Sequence, residues 1–198
     1  MKILAFADLH ESITCLKKIE QKIEKHKPDV IVNLGDFTVF EQNIEGVLER
    51  LAKFGIPVWI LHGNHETDTV CQKLCQRYGL RFIHKQIFSL NDVVVVGHGG
   101  GGFALVDKDF ERFIKANEKK LKSKKVLLLT HAPPNNTKID YIDYLDEHVG
   151  CKSYTRFIKM HNVVVALSGH IHETEGKKGR LGKTLLANPG PEGEIFEI

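Results

Sequence analysis

The residues best suited to chemistry are Gly63-Asn64-His65-Glu66, which directly follow the apolar run at 58–61. Such a run predicts a buried strand, and the turn after it lies at the edge of an open α/β sheet where ligands collect. Asn64 offers an amide oxygen that can coordinate a divalent cation, and His65 an imidazole that can move a proton near neutral pH. On its own the tetrapeptide also suits a polar turn before a capped helix, so the rest of the chain must decide.

Six further potential metal ligands also come just after apolar runs. They are Asp8, His10, Asp36, His131, His170 and His172. A lone His or Asp at a strand end is usually a cap or a surface residue, but Asn64 and these six together form a set of nitrogen and oxygen donors without a thiolate. Such a set suits a pair of manganese, iron, zinc, cobalt or nickel ions, with manganese favoured, and exceeds the needs of one tetrahedral zinc. One aspartate is expected to bridge the two ions.

Two of the motifs have a spacing of i and i+2, in Asp8-Leu9-His10 and in His170-Ile171-His172. If the strand conformation continues through each motif, the outer two side chains point to one face and the middle one packs among apolar residues. The spacing therefore predicts that each strand end presents two ligands together.

The elements that position these residues follow from hydrophobic periodicity. Strands are predicted at 2–7, 30–34 and 58–61, with helices at 12–26 and 41–54 between them, a βαβαβ order that brings strand ends to one rim. Further along, we expect three more helices, five single strands, of which the first three are close enough in sequence for hairpins, and short antiparallel strands at the end. The helices are expected at 69–78, 107–122 and 152–160; the strands at 81–84, 86–90, 92–97, 126–130, 163–167, 180–187 and 194–198.

Three segments remain open in function. The glycine-rich run at 97–102 lacks the Gly-Lys-Ser/Thr of a P-loop, so a flexible or closely packed turn is favoured over a substrate-contacting loop, with His98 as a bystander. The polar segment 135–152 is long enough to be a specificity element. Lysines between 115 and 125 suit a solvated helix face better than a nucleic-acid patch.

Composition narrows the class of protein. A chain of 198 residues with 42% hydrophobic and 27% charged residues suits one soluble domain, 1–198. The net charge of +3 is too small to indicate nucleic-acid binding by itself. The first apolar stretch, 3–7, is too short for a signal peptide, and no run approaches a membrane span, so a cytoplasmic protein without a membrane partner is expected. The four cysteines lack a C-x-x-C spacing and are interpreted as free thiols.

The motifs, taken in order, resemble those of the calcineurin-like metallophosphoesterase superfamily. They read D-x-H at 8–10, G-D at 35–36, G-N-H-E at 63–66, a strand-end His131 and G-H-x-H at 169–172. The stretches 130–134, 148–150 and 188–190 further resemble small prokaryotic phosphoesterases related to cyclic-nucleotide phosphodiesterases. The resemblance implies a four-layer α/β/β/α sandwich of two mixed β-sheets flanked by helices.

The resemblance also implies a ligand set and a mechanism. Asp8, His10, Asp36 and His172 would hold one ion, and Asp36, Asn64, His131 and His170 the other, with Asp36 bridging. Two ions about 3.5 to 4 Å apart can share a water, lower its pKa and direct the hydroxide at phosphorus. His65, outside the ligand set, would assist the departing oxygen.

The residues after Asp36 bear on the substrate. Phe37-Thr38-Val39 stands where Ser/Thr protein phosphatases have Val-Asp-Arg-Gly, which argues against protein phosphatase activity. A small phosphate ester is therefore expected, with phosphodiesterase favoured over phosphomonoesterase activity. The alternatives are a nuclease and a non-catalytic scaffold that binds a protein partner, as in the retromer subunit of this fold. A homo-oligomer is compatible with the sequence.

Overall fold

A computed structural model describes residues 1–198 and contains five α-helices and thirteen β-strands. The helices are Ile13–His26 (α1), Ile44–Ala52 (α2), Asp68–Tyr78 (α3), Lys108–Leu121 (α4) and Lys152–Met160 (α5). The strands are Lys2–Phe6 (β1), Val30–Asn33 (β2), Val58–Ile60 (β3), Arg81–Phe82 (β4), Gln86–Leu90 (β5), Val93–His98 (β6), Lys125–Thr130 (β7), Tyr141–Ile142 (β8), Glu147–His148 (β9), Val163–Leu167 (β10), Lys178–Leu181 (β11), Thr184–Ala187 (β12) and Glu194–Glu197 (β13). None of the helices is both long and apolar enough to cross a membrane.

The first sheet has the order β13-β1-β2-β3-β4. Strands β1 to β4 run parallel, and β13 pairs antiparallel with β1 at the edge. The three predicted strands of the βαβαβ unit are therefore neighbours, and their carboxyl ends share one edge.

The second sheet has the order β11-β12-β10-β7-β6-β5. Its four central strands are parallel, and β5 and β11 pair antiparallel at the edges. Two expectations were wrong in detail. Strands β5 and β6 do form a hairpin, but β4 joins the first sheet and does not pair with β5. The C-terminal strands are divided between the two sheets.

The two sheets pack face to face around a core of aliphatic side chains. Val32 and Leu61, on the side of the first sheet, pack with Leu127 and Leu167 of the second sheet in one buried cluster. The outer face of the first sheet is covered by α1, α2 and α3, and that of the second by α4 and α5. Both sheets are mixed and flanked by helices, so the predicted α/β/β/α architecture is confirmed.

Candidate metal centre

The candidate ligands lie in loops that turn sharply after the strands. Strand β1 ends at Phe6, and Asp8 and His10 have left-handed φ angles of 54° and 43°. Asp36, after β2, has a φ of 50°. Such angles are uncommon outside glycine and cluster at functional sites, where the surrounding structure maintains them. The expectation that an extended backbone aligns Asp8 with His10 was therefore wrong, although both side chains do reach one place.

The second motif departs further from the expected geometry. Strand β10 ends at Leu167, His170 has a φ of 71°, and a short 3₁₀ turn begins at His172. The two histidines belong to different groups of potential metal ligands: His172 lies with Asp8 and His10, whereas His170 lies with Asp36 and His131. Within each group the potential donor atoms lie within 4.8 Å of one another.

The first group brings two imidazoles together. His10 Nδ1 is 3.1 Å from the carbonyl oxygen of Thr38, and since a carbonyl only accepts, Nδ1 must donate. The neutral ring then has a lone pair on Nε2, which faces Nε2 of His172 at 3.3 Å. A histidine that donates one N–H to a backbone carbonyl and presents its other nitrogen has the usual arrangement of a metal ligand.

The second group repeats this arrangement. His131, fully buried, donates from Nδ1 to the carbonyl oxygen of Leu34 at 3.0 Å. Its Nε2 lies 3.0 Å from Asn64 Oδ1 and 3.4 Å from Asp36 Oδ2. On a neutral His131 these atoms would all present lone pairs to the same place, so the arrangement needs a proton or a metal cation between them. Burial acts to lower the pKa of His131, but the hydrogen bond and charge of Asp36 outweigh it and raise this pKa.

Two buried polar atoms in these groups have no hydrogen-bond partner. They are Asp8 Oδ1 and His170 Nε2. The other oxygen of Asp8 accepts the backbone N–H of His170 at 2.8 Å, which ties the two sheets together. Because an unpaired buried polar atom costs about 1–3 kcal/mol, the free atom in each group fits a ligand to a bound cation.

The electrostatics of the site separate its titratable groups. Burial raises the pKa of Asp8, despite the opposing effect of His131. Burial also acts to raise the pKa of Asp36, but the hydrogen bond and charge of His131 outweigh it and hold this pKa below its ordinary value. Burial, with His131 nearby, lowers the pKa of His170 to about 3. His170 is therefore a neutral imidazole with a free lone pair at neutral pH.

His65 lies beside both groups without belonging to either. Its ring is 4.9 Å from that of His10, and its Nε2 is 3.9 Å from Asp36 Oδ2. The Phe40 ring stacks on it at 4.3 Å, and the Phe40 backbone N–H donates to Nδ1 at 3.4 Å. Because Nδ1 accepts, the neutral ring carries its proton on Nε2.

Glu66 has a role that the sequence did not indicate. Its side chain is 5% exposed, and its carboxylate accepts four hydrogen bonds. Oε2 accepts the backbone N–H groups of Asp36 and Gly63 at 3.0 and 2.9 Å, and Oε1 accepts the N–H and hydroxyl of Thr38 at 2.9 and 2.8 Å. Burial raises the pKa of Glu66. One carboxylate thus joins the loop after β2 to the loop after β3; the only sequence signal was an acidic residue in the 63–66 motif.

The glycine run serves mainly as a closely packed turn. A Cβ on Gly99 would lie 2.5 Å from the His62 carbonyl oxygen, which only a glycine avoids. The end of the run nevertheless borders the site, because the ring of Phe103 lies 4.4 Å from that of His170. The run is therefore a closely packed turn at Gly99, and contact of the segment with substrate stays an alternative.

His98 lies in a separate cluster with His84 and Asp109. The protein supplies partners for two of its members: Gly99 N–H donates to His84 Nδ1 at 2.9 Å, and Lys85 pairs with Asp109 at 2.7 Å. Both ring nitrogens of His98 are buried without a hydrogen-bond partner. Burial, with neighbouring His62, lowers the pKa of His84 to about 3. His98 belongs to neither of the two groups described above.

The long segment after His131 supplies part of the cavity above the site. This cavity, about 350 Å³ in volume, is lined by Ile142 and Tyr144 together with site residues on the other loops. None of the lysines of α4 lines it. The segment therefore lies where a specificity element would contact substrate, while the lysine-bearing face lies elsewhere.

Known proteins are similar to this chain in sequence and in structure. It is 31% identical to an uncharacterised protein of Methanocaldococcus jannaschii, covering 97% of this chain and 89% of the relative. It is 24% identical to a probable glycerophosphodiester phosphodiesterase of Arcobacter nitrofigilis, covering 83% of this chain and 64% of the relative. The crystal structure of TT1561 of Thermus thermophilus has the same fold, with a TM-score of 0.75 at 19% identity over 96% of this chain and 88% of that one.

The motifs lie within a stretch that matches the sequence model of a known family. The sequence model of the family described as calcineurin-like phosphoesterase matches residues 1–174, a span that contains all seven candidate ligands and His65. The order of motifs, the two-sheet fold and this match agree. The chain belongs to the calcineurin-like phosphoesterase family.

Proposed function

We propose that this protein is a dinuclear metal-dependent phosphodiesterase. Asp8, His10 and His172 would hold one ion and Asn64, His131 and His170 the other, with Asp36 bridging. The observation that carries the proposal is the convergence of lone pairs in both groups, above all His131 Nε2 facing Asn64 Oδ1 and Asp36 Oδ2 within 3.4 Å. Such an arrangement is costly unless a cation occupies its centre.

Two bound divalent ions would supply Lewis acidity and a nucleophilic water at neutral pH. The chain itself holds the donors in place. Thr38 and Leu34 carbonyls orient the rings of His10 and His131. The His65 backbone N–H donates to Asp36 Oδ1 at 2.9 Å, which leaves Oδ2 directed toward the ligands. These contacts fix the ligand geometry before any substrate binds.

His65 is proposed as the proton donor to the departing alcohol. Its Nδ1 accepts the Phe40 N–H, so its Nε2 carries the proton, and the ring lines the cavity. Transfer of a proton from Nε2 to the leaving oxygen starts from the imidazolium form of His65, in which Nδ1 no longer accepts the Phe40 N–H, and it leaves a neutral imidazole. The transfer would avoid release of an alkoxide, which typically contributes about 10²- to 10⁴-fold in rate.

A diester is favoured over a monoester as the substrate. No lysine or arginine lines the cavity, and Glu173 adds a carboxylate to it, so the cavity offers no side-chain cation for additional negative charge. The name of the Arcobacter nitrofigilis relative is that of a phosphodiesterase. The residues after Asp36 also differ from those of protein phosphatases.

The test is reconstitution of activity. Metal-stripped protein is reloaded with manganese, iron, zinc, cobalt or nickel and assayed with p-nitrophenyl phosphate and methyl p-nitrophenyl phosphate, which share a leaving group. We expect no turnover without metal and preference for the diester with at least one ion. Turnover of the monoester in wide excess with every active ion would refute the substrate class. Lack of turnover with every ion would favour the scaffold alternative.

A further inference from the structure

The exposed aromatic rings of this protein are concentrated in one place. Of sixteen Phe, Tyr and Trp residues, only Phe40, Phe103 and Tyr144 are exposed, at 71%, 65% and 75%. Phe103 and Tyr144 line the cavity above the candidate metal centre, and Phe40 stacks on His65, which also lines it. Exposed apolar rings gathered at a single cavity mark a binding site, whereas scattered ones need no explanation.

A buried carboxylate anchors the base of the hairpin that carries Tyr144. Asp140 is fully buried and accepts the backbone N–H groups of Asn136 and Thr137 at 2.9 and 2.7 Å. It also accepts the Gly150 N–H at 3.1 Å and the His148 ring N–H at 2.8 Å. Tyr144 therefore projects from a hairpin formed by β8 and β9 whose base is held by hydrogen bonds, so less conformational freedom is lost when a ligand binds there.

The remaining lining restricts the chemistry of what the rings contact. The charged side chains of the cavity are the carboxylates of Asp36 and Glu173, with no lysine or arginine. A second phosphate would meet only negative charge outside the candidate ligands, and a sugar hydroxyl would face apolar rings. A flat, uncharged aromatic group is the complement of such a surface, since ring–ring contacts add to apolar burial.

We infer that Phe103 and Tyr144, with Phe40 at the proton donor, form an aromatic rim that selects phosphodiesters carrying a planar aromatic substituent. This inference rests on the proposed function, because it assigns the phosphate itself to the metal centre. The rim binds the substituent, and aliphatic diesters lack that contact. Stacking of a base on an aromatic side chain is typically worth about 5- to 150-fold in affinity.

The test measures binding of two ligands that cannot be hydrolysed. Methyl(phenyl)phosphinate and dimethylphosphinate carry the same single charge. Both substituents of each are attached to phosphorus by P–C bonds, and the two compounds differ only in that one methyl group is replaced by a phenyl ring. Calorimetric titration of the manganese-loaded protein gives the ratio of their dissociation constants. We expect the phenyl compound to bind roughly tenfold more tightly to the parent. The ratio should fall to within about twofold in a variant with Phe103→Ala and Tyr144→Ala.

Controls separate ring contacts from general damage. Met160→Ala removes another large exposed side chain, 73% exposed and on α5, and should keep the parent ratio. Phe103→Leu with Tyr144→Leu keeps apolar bulk without the rings, and should also lose most of the ratio. Metal content and thermal unfolding are measured for each variant, so that a lost ligand or fold is recognised.

Two results would overturn the inference. One is a ratio of the two dissociation constants near one in the parent, and the other is a ratio that stays unchanged in both rim variants. Neither depends on turnover, because no bond of the ligands is cleaved. The parent could hydrolyse no diester with any ion and still show the tenfold ratio, with loss of that ratio in the rim variants. In that case the aromatic site is retained and the proposed function is refuted. A protein that hydrolyses diesters with a ratio near one retains the function without the rim.

Discussion

Replacement of Glu66 by glutamine is the sharpest test of how the site is built. The change keeps the size of the side chain but replaces one acceptor oxygen by an NH₂ group. If Oε1 remains an oxygen, the NH₂ faces the backbone N–H groups of Asp36 and Gly63, which now donate at 3.0 and 2.9 Å. If the amide is reversed, the NH₂ faces the backbone N–H of Thr38, which loses its acceptor, and the Thr38 hydroxyl, which can rotate and accept from it. The first orientation leaves two backbone donors without an acceptor and the second leaves one.

The expected cost follows from the less costly orientation, which leaves the Thr38 N–H unsatisfied. An unsatisfied buried donor costs about 1–3 kcal/mol, so Glu66→Gln should lower the free energy of unfolding by roughly 1–3 kcal/mol. For a chain of this size, 1 kcal/mol shifts the melting temperature by about 2–4 °C, which predicts a decrease of roughly 2–12 °C. The Asp36 loop would also lose its anchor, so we expect reduced metal occupancy and activity.

The assay is thermal and urea unfolding of the metal-stripped protein, since bound metal adds stability of its own. Glu41→Gln is the matched control. One oxygen of Glu41, Oε1, accepts both the N–H and the hydroxyl of Thr67 at 2.7 Å, and these bonds are exposed. A glutamine oxygen can still accept both, so the control should change stability by less than about 1 kcal/mol. Equal melting temperatures for parent and Glu66→Gln would refute the role given to this carboxylate.

Four further outcomes are expected. His65→Ala should keep the fold and both ions but lower the rate by roughly 10²- to 10⁴-fold, less for a good leaving group; equal dependence on leaving-group pKa in parent and variant would remove the proton-donor role. Asp36→Asn should lower metal occupancy at both positions by elemental analysis, whereas Asn64→Ala should affect chiefly one; full occupancy in Asp36→Asn would exclude bridging. His84 has a pKa of about 3 in the folded protein and of about 6.5 in the unfolded chain, so the unfolded chain binds more protons as the pH falls. The free energy of unfolding should therefore decrease below about pH 6.5, and His84→Gln should make this decrease smaller in urea titrations. Gly63→Ala would place a Cβ 1.9 Å from Asp36 Oδ1 and should destabilise the fold by at least about 1–3 kcal/mol with loss of metal, and a variant with parental stability and two ions would contradict the close approach.

Much of the fold could be predicted from the sequence because it depends on periodicity. The run 163–167 and the helix at 152–160 have the predicted bounds, since buried strands and amphipathic helices impose their own spacing. Strand partners were harder to assign. The pattern of 81–84 indicates a strand, but nothing local states that it pairs with β3 and not with β5. Pairing depends on which side of a sheet the preceding helix covers, and this is a property of the whole fold.

The candidate ligands could be identified because their types are rare just after apolar runs, but their geometry could not be derived from the i, i+2 rule. That rule requires an extended backbone, whereas Asp8, His10 and His170 have positive φ angles. The sharp turns send His170 and His172 to different groups, as the family resemblance implied and the strand geometry did not. The predicted residues therefore stand in the predicted place for a different conformational reason.

The conformational reason is visible where loops from the two sheets meet. A Cβ on Gly35 would lie 2.6 Å from the Gly63 nitrogen and 2.8 Å from His131 Nδ1, so the loops after β2, β3 and β7 approach each other more closely than side chains allow. Close approach is what lets one carboxylate, Glu66, accept donors from two loops, and what brings Asp36 within 3.4 Å of His131. The glycines of the G-D and G-N-H-E motifs would thus serve the proposed metal centre without contacting a metal. They remove the Cβ atoms that would hold the strand ends apart, and the left-handed backbone of Asp36 then turns its side chain into the space between the sheets.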